Sequence, residues 1–115
     1  MEVAAQIPLQ ISFLGLDHSD SVEERIRSKV AKLMQMCDKI TACRVTVETV
    51  RKSPIAERKK GEPFQINIEI SVPGSQLMVK RPPKDLHAHE EITTALKDAF
   101  STMERQLKEY VERFR

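Results

Sequence analysis

Tryptophan is absent from these 115 residues, and phenylalanine and tyrosine together number five. A core built from this chain is therefore mostly aliphatic, and a platform of stacked aromatics for single-stranded RNA is poorly supplied. Three glycines leave almost nothing for a glycine-rich phosphate cradle, and neither Gly-x-Gly-x-x-Gly nor Gly-x-x-x-x-Gly-Lys-Ser/Thr occurs. Cys37 and Cys43 are too few for a disulfide framework and form no Cys-x-x-Cys motif. Both replace an apolar residue in a periodic pattern, so buried free thiols are expected. No run approaches the roughly 18 apolar residues of a membrane span, and Met1-Glu2 lacks the basic start of a signal peptide. A cytoplasmic protein without a membrane partner is expected. No serine lies in a nucleophile elbow, and nothing else in the chain requires an enzyme, a cofactor or a small-molecule substrate.

The length suits one domain, residues 1–115, with a continuous core of modest size. Phe64, Ile66, Ile68, Ile70 and Val72 alternate with Gln65, Asn67, Glu69 and Ser71, the period of a half-buried strand. Pro73-Gly74 breaks it, and Leu77 and Val79 restart the alternation before Lys80-Arg81-Pro82-Pro83-Lys84. Ile7, Leu9, Ile11 and Phe13 suggest a first strand, with Pro8 favouring an edge. Cys43, Val45 and Val47 mark another. One helix is expected from the Asp17–Asp20 capping cluster to about Cys37, with Val22, Ile26, Val30, Leu33 and Cys37 as its apolar stripe. Asp20 with Glu23, and Ser21 with Glu24, both have capping-box spacing. A second helix carries Ile92, Leu96, Ala99, Met103, Leu107, Tyr110 and Phe114.

This order implies an α+β fold, β-α-β-β-β-α, with both helices on one face of a four-stranded sheet. The other face should be polar, presenting Gln10, Ser12, Arg44, Thr46, Glu48, Gln65, Asn67 and Glu69.

A net charge of +2 conceals an uneven distribution: −5 over residues 1–24, +8 over 25–60 and −1 over the remainder. A basic block of this size produces a local positive field suited to phosphate backbones. Arg25, Lys29 and Lys32 share one side of the first helix, while Lys97, Arg105 and Lys108 stay broadly together on the second. Lys80, Arg81 and Lys84 precede that second helix. Side by side, the helices would merge their bases into one positive strip. Glu23, Glu24, Glu104, Glu109 and Glu112 are the alternative partners for any single base. Residues 51–60 form a polar connector of net charge +4.

His87, His89 and Glu90 are the one local cluster that suggests a metal. On a helix, the two histidines would stand about 200° apart and could not easily chelate one ion. Helix-entry capping or docking is the better reading, and no metal is expected.

The wording of several segments adds to their pattern. Val-Pro-Gly-Ser at 72–75, His89-Glu90-Glu91, Met103-Glu104-Arg105-Gln106-Leu107-Lys108 and Val30-Ala31-Lys32-Leu33 resemble the ribosome hibernation-promoting factors. These are also called ribosome-associated inhibitors or sigma-factor modulation proteins. The resemblance covers nearly the whole chain, most strongly from Phe64 onward. It departs at Glu91-Ile92-Thr93-Thr94-Ala95-Leu96, where the family's Asp-x-Tyr-x-Ala-Ile has an aromatic, and at Thr102, where several members are basic. The connector from Lys52 to Glu62 exceeds that of the shortest members.

The resemblance implies a fold like double-stranded-RNA-binding domains. It also implies a non-enzymatic protein that binds the small ribosomal subunit and intact ribosomes, covers the decoding region and inhibits translation when growth slows. Lys29, Lys32, Arg105 and Lys108 fall where members present bases to ribosomal RNA, with Arg25 and Lys80 or Arg81 as additions. Ending five residues after Tyr110, the chain resembles a short form. It is expected to be monomeric when free. The competing expectations are a general double-stranded-RNA-binding module without ribosome preference and a small metal-dependent enzyme using His87, His89 and Glu90.

Overall fold

Alternation in the sequence becomes a four-stranded sheet in the spatial order β1-β2-β3-β4, here described by a computed structural model over residues 8–49, 64–82 and 91–113. The elements in chain order are β1 (Leu9–Leu14), α1 (Asp20–Met36), β2 (Ala42–Thr49), β3 (Phe64–Val72), β4 (Ser75–Arg81) and α2 (Ile92–Arg113). The architecture is α+β, β-α-β-β-β-α, as the sequence implies. β1 pairs with β2 in parallel, which makes α1 the crossover between them. The other two pairings are antiparallel. β1 occupies an edge, as expected from Pro8, whose carbonyl accepts the Cys43 N–H at 3.0 Å.

Register decides which side chains share a face. Leu9, Ile11 and Phe13 stand beside Cys43, Val45 and Val47, and these continue across to Ile70, Ile68 and Ile66. That row system faces the helices. Ile26 and Leu33 of α1 and Leu96, Ala99, Met103 and Leu107 of α2 have no exposed surface within the same cluster. Each of the Ile, Leu and Met side chains contributes about 1.5–3 kcal/mol through burial, and the Ala99 methyl less. The outer face carries the polar rows Gln10–Arg44–Glu69 and Ser12–Thr46–Asn67, with an Arg44–Glu69 ion pair at 3.7 Å across β2 and β3. Cys37 and Cys43 are free and buried, as expected.

α2 lies over β3 and β4 and also packs on α1. Ala95 and Phe100 also join the core, one on each side of the expected stripe, and Phe100 lies on the side toward α1. Phe114 and Ile7, assigned to elements on periodicity, lie outside the described residues. Between β3 and β4, Pro73 restrains its own φ and Gly74 supplies a φ of +76°, giving a two-residue reversal.

The start of α1 differs from its expected capping. Ser19 is the N-cap: its hydroxyl accepts the Val22 N–H at 3.3 Å, and its carbonyl accepts the Glu23 N–H at 2.9 Å. Neither the Asp20/Glu23 nor the Ser21/Glu24 spacing forms the cap. Glu23 instead turns outward to His18 and Arg27.

Candidate nucleic-acid interface

The two helices lie side by side on the sheet, and one ion pair defines where their exposed surfaces meet. Lys32 Nζ of α1 stands 3.5 Å from Glu104 Oε2 of α2. Arg25 and Lys29 precede Lys32 by seven and three residues, which keeps them on the same flank of α1, toward α2. Arg25 and Lys32 are exposed and Lys29 is half-buried at the seam. On α2, Lys97 and Lys108 flank Glu104 at seven and four residues, and Arg105 stands one residue further around the helix. All three are exposed. Arg25, Lys29, Lys97, Arg105 and Lys108 make no ion pair with a described residue. The expected strip thus exists as a geometric object: six bases on two adjacent helices, interrupted by Glu104.

Two expected members do not join it. Lys80 alternates onto the outer face of β4, beside Asn67, with the sheet between it and the helices. Arg81 points inward opposite Ile66, and its side chain is only 10% exposed. Its guanidinium donates to Asp98 Oδ2 of α2 at 3.2 Å and to the Phe64 carbonyl at 3.4 Å. The signal was present in the period of β4, because Leu77, Val79 and Arg81 share one parity and Lys80 has the other. Thr102 also turns inward on its own helix, donating its hydroxyl to the Asp98 carbonyl at 3.2 Å.

Other charged groups explain themselves locally. Arg27, one turn from Glu23, binds it through Nη2 at 2.8 Å, away from the seam. The hydrogen bond from His18, followed by that from Arg27, holds the Glu23 carboxyl below the ordinary range. His18 also reaches Asp20 at 3.4 Å and meets Phe13 edge-on, with ring centres 5.1 Å apart. His18, Asp20 and Glu23 bring three potential metal-ligand atoms within 4.8 Å. Their mutual pairing at a helix start accounts for that grouping without an ion. His87, His89, Glu90, Lys84 and the connector Lys52–Glu62 lie outside the described residues. No helix among the described residues is long and apolar enough to cross a membrane.

The arrangement resembles known proteins in sequence and in fold. A family model described as "Sigma 54 modulation protein / S30EA ribosomal protein" matches residues 9–115. A "Ribosome hibernation promotion factor" of Deinococcus radiodurans is 27% identical over 105 residues, covering 91% of this chain and 49% of the relative. The chain thus spans about half the length of that relative. A ribosomal subunit interface protein from Coxiella burnetii superposes with a TM-score of 0.69 at 16% identity, over 92% of this chain and 99% of that one. The N-terminal domain of Thermus thermophilus Protein Y gives 0.64 at 17% identity, over 90% and 99%. At these identities the two structures establish a shared fold. With the family model matching nearly the whole sequence from β1 onward, the chain belongs to the Sigma 54 modulation protein / S30EA ribosomal protein family.

Proposed function

We propose that this protein is a ribosome hibernation factor that binds the small ribosomal subunit through its α1–α2 face. It occupies the decoding region and inhibits translation by excluding messenger and transfer RNA. The carrying observation is the seam at which Arg25, Lys29 and Lys32 meet Lys97, Arg105 and Lys108. Six bases spread over two rigid helices can engage phosphates on more than one RNA segment. Affinity comes from those charge contacts, while specificity comes from the shape of the RNA, since phosphate contacts read no sequence. Family membership and the hibernation factor among its relatives support the ribosome as the target. The reading places the protein in the cytoplasm and involves no catalytic step or cofactor.

Sedimentation with intact ribosomes and separated subunits, at low and physiological salt, tests it. Co-migration with the small subunit and intact ribosomes at physiological salt is expected. Equal affinity for a naked RNA duplex would instead identify a general double-stranded-RNA binder. Protein remaining at the top of the gradient would reject the ribosomal reading.

A further inference from the structure

A cation on the core-facing side of a sheet is costly unless partners satisfy it, and Arg81 is such a cation. It ends β4, lies in register with Ile66, and is one-tenth exposed. Asp98 supplies a carboxylate at 3.2 Å and Phe64 a carbonyl at 3.4 Å. One guanidinium therefore ties together the start of β3, the end of β4 and the early part of α2.

Further along α2, two more side chains tie the helix to the β3–β4 hairpin. Gln106 donates to the Met78 carbonyl at 3.3 Å, and the Tyr110 hydroxyl donates to the Pro73 carbonyl at 3.1 Å. The apolar stripe holds α2 down on the sheet, but non-directional packing leaves rotation about the helix axis less well defined. Polar bonds at Asp98, Gln106 and Tyr110 define that rotation. It decides where Lys97, Arg105 and Lys108 point, and Lys97 is the neighbour of Asp98.

We infer that Arg81 is a positioning residue for RNA binding: through Asp98 it sets the rotation of α2 and so aims the bases of the α1–α2 strip. This rests on the ribosomal reading for its biological target. It differs from a direct contact in a way that can be measured. If Arg81 bound phosphate, neutralising Asp98 would release a cation and strengthen binding. If Arg81 positions α2, neutralising either partner weakens binding alike.

The test measures small-subunit affinity of wild type, Arg81→Met and Asp98→Asn across a salt series, with hydrogen exchange of α2 amides in the free proteins. Both variants are expected to lose roughly three- to tenfold in affinity, with a salt slope equal to wild type and faster exchange over residues 97–105. Tighter binding by Asp98→Asn, or a slope reduced by about one in Arg81→Met, would show direct phosphate contact and overturn the inference. Unchanged affinity in folded variants would overturn it as well. Should Arg81→Met fail to fold, Arg81→Lys keeps the charge while losing the fork to Asp98 and Phe64, and the same readouts apply. If wild type itself does not bind the subunit, the ribosomal reading falls. Exchange rates then decide the positioning role alone, and unchanged α2 protection in the variants rejects it.

Discussion

Lys32 and Glu104, 72 residues apart in sequence, form the ion pair that joins the exposed faces of α1 and α2. Its energetic weight is small, because both partners reach solvent and an exposed pair contributes about 0–1 kcal/mol. Its consequence is positional: an acid sits among bases. On the proposed reading, Lys32 would exchange one anionic partner for another on binding RNA, and that exchange would lower the affinity of the strip for a phosphate backbone.

Glu104→Gln should therefore bind RNA more tightly, by roughly two- to fivefold at low salt, with less gain at high salt. Thermal unfolding should be nearly unchanged. Weaker binding would mean that the pair helps hold the two helices in their binding geometry.

Reversing charge at Lys29, Lys32, Arg105 and Lys108 together should abolish co-sedimentation with the small subunit. None of the four is buried, so helix content and cooperative unfolding should survive. Normal binding by a folded quadruple variant would remove this face from consideration.

Ser19→Ala removes the hydroxyl that accepts the Val22 N–H and should cost about 1 kcal/mol in urea unfolding. Asp20→Ala should cost less, because the exposed Asp20 acts through the helix dipole instead of the cap. The reverse order would reassign the cap to Asp20.

Gly15 and Gly74 both have positive φ, at +79° and +76°, but different surroundings. A Cβ at Gly15 would stand 2.6 Å from Thr49 Oγ1, the hydroxyl that donates to the Gly15 carbonyl. At Gly74 nothing lies within 4 Å. Gly74→Ala should cost about 1–2 kcal/mol from backbone conformation alone, and Gly15→Ala more. Equal losses in denaturant midpoints would argue against the Thr49 contact.

Burial pushes the Cys43 thiol up to about 11. Its thiol should resist alkylation at neutral pH in the folded protein and react once unfolded. The folded pKa lies above the 9.0 of a solvated thiol, so the contribution is intact below pH 9. It is lost as pH rises toward about 11, because the unfolded chain releases the proton first. Cys43→Ala should flatten that alkaline loss of stability; the same steep fall in the variant would assign it to other groups.

Much of the architecture was legible because it depends on short-range period. β3 appears at its expected bounds, since strict alternation over nine residues leaves one possible inward face. The shared side of the two helices followed from each strand having a single apolar face. Phe100 was less legible, because its burial requires α1 beside α2 as well as the sheet below. Ser19 was hidden among neighbouring residues with equal capping ability, and only backbone geometry distinguishes them.

Element order, the apolar faces and the basic helix flanks can be read along the chain, because strands and helices repeat every two and 3.6 residues. How those flanks combine follows from the packing of the folded protein. It set Lys32 against Glu104, put Lys80 behind the sheet and turned Arg81 inward to Asp98. Those outcomes depend on strand register and on the rotation of packed helices, which are fixed by contacts between residues distant in the chain.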